Sequence, residues 1–137
     1  MMVGADDYVA ILDLYSTYNH LADGDDPIAY GDCYSPDGRL TSSGKVMGEN
    51  RQQIIEFRRR NIAGRLGGVR RHFTTNIHLE SLDPTTVKGR CYVQAFDFVP
   101  NGQARLTHSG TYVDVVVRNE GRWQFSSREL SMDFIAK

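Results

Sequence analysis

The chain has 137 residues, 40% hydrophobic and 24% charged, as expected for one globular domain covering residues 1–137. Its formal net charge of −1 argues against a nucleic-acid-binding protein, which would carry a basic surplus. No apolar run reaches the roughly 18 residues of a membrane-spanning helix, and the first residues do not resemble a signal peptide. We therefore expect a cytoplasmic protein without membrane contact, in which Cys33 and Cys91 are reduced thiols.

The first third of the chain predicts two helices. Apolar residues recur at helical spacing from Asp6 to Ala22, so this segment forms an amphipathic helix. Asp6 or Asp7 suits its N-cap, and we expect Gly24 to end it in the left-handed region. Asp26-Pro27 then predicts the N-cap and first residue of a short helix that runs to about Tyr34.

A turn and a third helix follow. Ser35-Pro36-Asp37-Gly38 has turn composition, which leaves Arg39–Ser42 as a short strand. The third helix is expected over about Glu49–Ala63, with the stem of Arg58 extended along its inner face. Glycines 64, 67 and 68 would end this helix. Eight basic residues lie between positions 45 and 71, and we interpret this run as a solvated or intersubunit surface.

The second half of the chain predicts long strands. Residues 70–80 alternate with period two, and three further strands are expected over Thr85–Val99, Ala104–Arg118 and Gly121 to about Phe134. Asn-Gly and Asn-Glu-Gly sequences between them suit hairpin turns. Three helices on one side of a curved, mostly antiparallel sheet form an α+β fold. Such a sheet leaves a cone-shaped cavity suited to a small molecule.

His72 is the strongest candidate for chemistry in this sheet. In a regular strand it would share a face with Asn76 and His78, opposite Phe73 and Ile77. Its imidazole suits proton transfer near neutral pH, and Asn76 could orient a substrate oxygen. A structural histidine that only satisfies its own hydrogen bonds would give the same local pattern.

Tyr18 and Asp23 lie at the C-terminal end of the first helix. Tyr18 belongs to the buried stripe, so its hydroxyl needs a partner inside. A carboxylate at Asp23 opposes the helix dipole, and a cation, an imidazole or solvent could each compensate for it. The plain alternative is that Asp23-Gly24-Asp25-Asp26 is a solvated turn.

Two further polar groups leave alternatives open. Asp97 either faces the cavity as a buried acid with a raised pKa or marks the end of its strand near Pro100. His72 and His78 would lie about 20 Å apart along a regular strand, so they cannot share one ion, and we expect no metal. Arg128 is expected to form an ion pair.

Several short motifs together resemble those of the NTF2-like superfamily, and most closely its SnoaL-like group, which includes scytalone dehydratase and bile acid 7α-dehydratase. The resemblance covers nearly the whole chain and implies a cone-shaped α+β barrel. The motifs that carry it are Tyr18-x4-Asp23, Arg71-His72-x-x-Thr75-Asn76, Gly110-Thr111-Tyr112-Val113-Asp114 and Gly121-Arg122-Trp123.

This resemblance implies that Tyr18, Asp23 and His72 form a catalytic set. Three positions depart from scytalone dehydratase, whose second histidine falls near Asp97, and whose polar Ser and Asn fall near Gly110 and Tyr112. Scytalone is therefore not expected as the substrate. The simpler Tyr/Asp/His set of the bile acid enzyme fits better, without making this chain a bile acid enzyme.

The expected activity is that of a cofactor-independent dehydratase, a lyase acting on a hydrophobic cyclic hydroxyketone. His72, oriented by Asp23, would remove a proton, and Tyr18 would donate a hydrogen bond. A ketosteroid-isomerase-like reaction is the close alternative. The expected substrate-binding residues are Tyr15, Asn76, Val93, Phe96, Asp97 and Tyr112.

A third alternative is a non-catalytic binding or assembly module, like the small subunits of ring-hydroxylating dioxygenases. This alternative predicts a filled cavity and an Asp23 side chain in solvent. Under either hypothesis we expect a homo-oligomer, a dimer or a trimer, that uses the arginine-rich helix and the outer face of the sheet.

Overall fold

Three helices and six strands make up the computed structural model, which describes residues 1–63 and 69–135. The helices are α1 (Ala5–Asp23), α2 (Pro27–Asp32) and α3 (Arg51–Ala63). The strands are β1 (Tyr34–Ser42), β2 (Lys45–Gly48), β3 (Val69–Asp83), β4 (Thr86–Phe98), β5 (Ala104–Asn119) and β6 (Arg122–Ile135).

All six strands form one curved, unclosed sheet in the order β2-β1-β6-β5-β4-β3. Every neighbouring pair is antiparallel except β1 and β6, which run parallel. The three helices pack against this sheet, so the predicted α+β fold is confirmed. The short strand β2 was not predicted.

Helix α1 has the predicted buried stripe but different ends. Its N-cap is Gly4, without a side-chain hydrogen bond, and not Asp6 or Asp7. The predicted left-handed ending is also wrong, because Gly24 is extended, with φ −91° and ψ −160°. The buried face carries Ile11, Tyr15, Tyr18, Asn19 and Ala22.

The two other helices start at side-chain caps. The Asp26 carboxylate accepts a hydrogen bond from the Ala29 amide at 3.0 Å, as predicted for the start of α2. Helix α3 begins at Arg51, two residues later than expected, because the Asn50 side chain accepts from the Gln53 amide at 2.9 Å. The glycines predicted to end α3 lie outside the described residues.

The predicted turn at positions 35–38 belongs to strand β1. Tyr34 pairs with Phe125 and Arg39 pairs with Ser127, so the four residues between them form an irregularity in the pairing with β6. The turn-forming residues therefore interrupt the register of the strand without ending it.

Strand β3 contains a bulge that the period-two pattern did not reveal. Asn76 has a φ of +55°, a left-handed conformation that asparagine tolerates better than most residues. The pairing with β4 shifts between Thr75 and His78. An extra residue exchanges the two faces of a strand, so His72 and Ile77 both lie on the helix-facing side.

Among the described residues, no helix combines the length and the hydrophobicity needed to cross a membrane. Cys33 and Cys91 are buried and unpaired, as expected. The formation of a dimer or trimer stays a prediction.

Candidate functional site

Asp23 and His72 are in direct contact where the end of α1 meets the start of β3. Asp23 Oδ1 lies 2.6 Å from His72 Nδ1, and both carboxylate oxygens lie 3.1 Å from the His72 backbone nitrogen. The two side chains are only 11% and 15% exposed. The carboxylate at the unfavourable end of the helix dipole thus accepts hydrogen bonds from both the main chain and the side chain of His72.

A hydrogen bond one turn earlier in α1 helps to fix the position of this pair. The Asn19 amide donates to the Thr74 hydroxyl at 2.8 Å. Asn19 lies four residues before Asp23, about one helical turn, and Thr74 lies two residues after His72 on the same face of β3. Two parallel contacts therefore join α1 to β3 and limit rotation of either element.

His108 faces His72 across the site, with 5.3 Å between the ring centroids. The pKa of His108 is lowered to about 4, mainly by burial and also by the neighbouring His72 and Arg70, while Asp97 opposes the shift. His108 is therefore neutral at pH 7. It comes from β5, and its position in the sequence did not show whether it would reach the cavity.

Asp97 faces the same space but is not the acid with a raised pKa that burial alone suggests. Arg70 donates two hydrogen bonds to it, from Nε to Oδ1 at 2.7 Å and from an Nη to Oδ2 at 2.9 Å. This contact with Arg70 lowers the pKa of Asp97, against the opposing effect of burial. Of the two alternatives for Asp97, the one that places it on the cavity describes its position, but the raised pKa attached to that alternative is wrong, because β3 places a guanidinium directly beside the carboxylate.

Tyr18 belongs to a group of three buried tyrosines. Its hydroxyl is hydrogen-bonded to those of Tyr30 and Tyr34, the latter at 2.9 Å. Burial raises the pKa of Tyr18 well above its usual value, so the phenol stays protonated. Two hydrogen bonds among three hydroxyls use two of their three protons. One O–H therefore remains for an acceptor outside the triad, and Tyr112 is such an acceptor, since a hydrogen bond from Tyr18 acts on its pKa against the effect of burial.

These groups line a cavity of about 520 Å³ between the helices and the inner face of the sheet. This volume is within the range of small-molecule sites. Its walls combine aromatic and aliphatic side chains with the imidazoles of His72 and His108. The non-ionisable and tyrosine side chains of the wall include Tyr18, Tyr30, Leu40, Met47, Phe57, Tyr112 and Leu130.

His72 also lines a second space, a groove of about 570 Å³ between α1 and β3. Asp23 borders the groove and is not part of the cavity wall. Because Asp23 occupies Nδ1, Nε2 is the ring nitrogen left for proton transfer. We take the cavity as the reaction space, since it also contains Tyr18 and His108.

The structure separates the residues expected to bind substrate. Tyr112 and Asp97 line the cavity, whereas Val93 is buried in the hydrophobic core. Tyr15 borders the groove. Phe96 does not line the cavity, because β4 alternates regularly here and places Phe96 on the face opposite to Val93, Ala95 and Asp97.

Phe96 and Asn76 are therefore placed away from the expected site. Phe96 packs edge-to-face against Phe73, which is 49% exposed, at 5.7 Å between centroids. Asn76 is exposed and lines neither the cavity nor the groove. The bulge in β3 changes the face that the alternating pattern assigned to Asn76, whereas the alternation of β4 itself places Phe96 opposite Val93, so its expected role in the cavity is wrong.

A fully buried ion pair lies behind the tyrosines. Arg128 Nε donates to Asp114 Oδ1 at 2.8 Å, and the Tyr15 hydroxyl donates to Asp114 Oδ2 at 2.6 Å. The Arg128 guanidinium carbon lies 3.6 Å from the centroid of Tyr112 and 4.5 Å from that of Tyr18. The expected ion pair of Arg128 is thus present, in the core beside the cavity.

Within residues 1–63 and 69–135, no group of three or more His, Cys, Asp or Glu side chains is arranged to hold a metal ion. The donor groups of the site are paired with each other or spread around the cavity. The arrangement therefore combines the carboxylate-bound imidazole of His72, the imidazole of His108, which is neutral at pH 7, and phenolic hydrogen-bond donors around a partly apolar space.

Comparisons with known proteins agree with this fold. The family described as SnoaL-like domain matches residues 4–129. A comparison with curated proteins finds no match. The protein Aln2 from a Streptomyces species superposes with a TM-score of 0.89 at 21% identity, over 97% of this chain and 95% of Aln2.

Two other solved structures are similarly related in fold. A scytalone dehydratase-like protein from Novosphingobium aromaticivorans gives a TM-score of 0.81 at 20% identity, over 95% of this chain and 86% of that one. A protein from Catenulispora acidiphila in complex with S-DNPA gives 0.82 at 22% identity, over 95% and 96%. Such identities show a shared fold and no more.

Proposed function

The chain belongs to the family of SnoaL-like domains, and we propose that it is a cofactor-independent lyase. The proposed reaction removes water from a hydrophobic cyclic hydroxyketone. The observation that carries this proposal is the 2.6 Å contact between Asp23 and His72 at the wall of a 520 Å³ cavity.

His72 is the proposed base. A hydrogen bond from its Nδ1–H to Asp23 fixes the tautomer in which Nε2 carries the lone pair. Nε2 takes the proton from the carbon next to the ketone, and an enolate forms. The carbon–oxygen bond of the β-hydroxyl group then breaks, and the protonated His72 returns its proton to the leaving oxygen. The products are an enone and water, and His72 is again neutral.

The tyrosine triad is proposed to stabilise the enolate. Tyr112 is joined to the triad through Tyr18, so three hydrogen bonds among four hydroxyls leave one O–H for the substrate, and Tyr18, Tyr30 and Tyr112 all line the cavity. Because the pKa of Tyr18 is raised, the group acts as a neutral hydrogen-bond donor and not as a proton donor. One such donor typically contributes about 3 kcal/mol to transition-state stabilisation.

Two observations favour an enzyme over a binding or assembly module. The module hypothesis requires a filled cavity and a solvated Asp23, whereas the cavity is about 520 Å³ and the Asp23 side chain is 11% exposed. Among the structural neighbours, the scytalone dehydratase-like protein carries the name of a lyase. Isomerisation of a double bond would use the same proton abstraction, so it is the alternative that the experiment must separate.

The test is incubation of the protein with bicyclic β-hydroxyketones and β,γ-unsaturated ketones in D2O. Loss of water from the hydroxyketones, with a 10²–10⁴-fold lower rate for His72→Gln, would support the proposal. His78→Gln is the control, because His78 is exposed on the same strand. Turnover of the unsaturated ketones alone would indicate an isomerase. If the protein catalyses neither reaction and exchanges no deuterium into the α-carbon, acid–base catalysis on such ketones is refuted.

A further inference from the structure

The charged residues of the cavity wall have a strong positive surplus. Four guanidinium groups line the cavity, those of Arg58, Arg60, Arg70 and Arg105, against the single carboxylate of Asp97 among the described lining residues. His108 adds no charge at pH 7, because its pKa is lowered to about 4. A neutral ketone would provide no negative charge to interact with these arginines.

The carboxylate of Asp97 is already hydrogen-bonded to one of these arginines. Both oxygens of Asp97 accept hydrogen bonds from Arg70, at 2.7 and 2.9 Å. In the part of the chain that the structure describes, neither Arg60 nor Arg105 has an ion-pair partner within 4.0 Å. The segments outside the description, 64–68 and 136–137, contain no acidic side chain. Asp97 lies near enough to Arg105 for the guanidinium to contribute to its lowered pKa, but Arg70 holds both of its oxygens, so among the described residues neither Arg60 nor Arg105 has a carboxylate in direct contact.

The two arginines come from opposite sides of the cavity. Arg60 lies in the last turn of α3, and Arg105 is the second residue of β5, paired with Asp97. Both are exposed, whereas Tyr18, Tyr30 and Tyr112 on the same wall are buried. The cationic end of the cavity is thus its solvent end, and the aromatic end lies inside.

His72 lies farther inside the cavity than this cationic end. Arg70 and His72 share the inner face of β3 and are two residues apart, which corresponds to roughly 7 Å along a strand. An anionic group held near Arg60 and Arg105 would therefore place the ring that carries it beside His72 and against the tyrosines.

We propose that the substrate is an organic carboxylate, in which Arg60 and Arg105 bind an acid group on the ring system that His72 acts upon. Arginine suits this task, since its planar guanidinium matches a carboxylate with two parallel hydrogen bonds. This inference rests on the proposed function in that it concerns the same cavity, but it is tested by binding alone.

The experiment uses two ligands of the same shape, 1-naphthaleneacetic acid and its neutral amide, titrated calorimetrically into the protein at pH 7. We expect the acid to bind at least tenfold more tightly and to lose that advantage in 1 M salt, because salt screens exposed charges. In the double variant Arg60→Gln/Arg105→Gln, the acid should bind no better than the amide, while the affinity for the amide is unchanged.

Arg59→Gln is the matched control, because Arg59 is also an exposed arginine of α3 but does not line the cavity. Equal binding of acid and amide, no measurable binding of the acid at millimolar concentration, or an equal loss of the acid's affinity in Arg59→Gln would each overturn the proposal.

Activity measurements on the unaltered protein, made beside the titration, separate this inference from the proposed function. If the unaltered protein prefers the acid but turns over no hydroxyketone, the carboxylate site stands and the lyase proposal is rejected. If the protein turns over neutral hydroxyketones but shows no preference for the acid, the lyase proposal stands and the carboxylate site is rejected.

Discussion

Arg128 and Asp114 form an ion pair in which both side chains are completely excluded from solvent. Two hydrogen bonds of 2.8 and 3.1 Å join them, and the guanidinium is surrounded by aromatic rings. Because removal of one partner would leave an uncompensated buried charge, the pair is a point of high sensitivity in the core.

Replacement of Arg128 by Met should lower the free energy of unfolding by about 3–5 kcal/mol, because Asp114 would be left buried without its cation. Urea denaturation measures this loss. The matched variant is Arg122→Met, which removes an exposed ion pair with Asp32 and should cost less than about 1 kcal/mol. Equal losses in the two variants would contradict the special role of the buried pair.

The stability of the protein should fall as the pH decreases from 6.5 to 4. The pKa of His108 is lowered to about 4 in the folded protein, so in this interval the unfolded chain binds more protons than the folded one. We expect a loss of about 1–2 kcal/mol, a value already reduced because the ring is partly exposed to solvent.

His108→Asn should flatten this part of the stability profile, measured by denaturation at several pH values. His78→Asn is the control, since His78 is an exposed histidine of β3 that does not line the cavity. The slope of stability against pH should persist in this variant. A slope unchanged by His108→Asn would mean that other groups cause the acid sensitivity.

Gly89→Ala should destabilise the protein by about 1–3 kcal/mol, as overpacking of a core does. A Cβ atom at position 89 would overlap with the hydroxyl oxygen of Tyr15, which donates a hydrogen bond to Asp114. Tyr15→Phe removes that oxygen, so Gly89→Ala should cost less in the Tyr15→Phe background. Thermal denaturation of the four proteins gives the coupling energy, and strictly additive effects would refute the contact.

Asp23→Asn should reduce kcat of the proposed reaction by about 10²–10⁴-fold with little change in KM. The amide can no longer hold Nδ1–H of His72 as a carboxylate does, while the shape of the side chain is kept. Asp25→Asn, an exposed neighbour on the same turn, should leave kcat unchanged. If KM rises and kcat does not fall, Asp23 serves substrate binding and not the orientation of the base.

Local patterns in the sequence carry much of the fold but not the bulges. The stripe that ends at Ala22 and the capping pair Asp26-Pro27 define α1 and α2, because helix periodicity and caps act over a few residues. The face of Asn76 could not be read in this way, whereas that of Phe96 follows from the alternation of β4. A single inserted residue changes every later position of a strand, and it depends on pairing with a distant partner.

The charged contacts of the site could not be predicted from the sequence either, because they also depend on the pairing of distant strand segments. Arg70 and Asp97 are 27 residues apart in the chain, and only the register between β3 and β4 brings them together. A mid-strand asparagine is the signal that could have indicated the bulge in β3, since asparagine tolerates positive φ values. No comparable signal pointed to His108 as a partner of His72.

The bulge at Asn76 has a consequence for the way β3 can change. The inward residues before it, Arg70 and His72, line the cavity, and the inward residues after it, such as Leu79, belong to the hydrophobic core. One strand thus contains two segments with separate tasks, joined at a single residue. Substitutions that adapt the first segment to another ligand need not disturb the second, whereas deletion of Asn76 would turn Leu79 towards solvent and cost the protein its folded state.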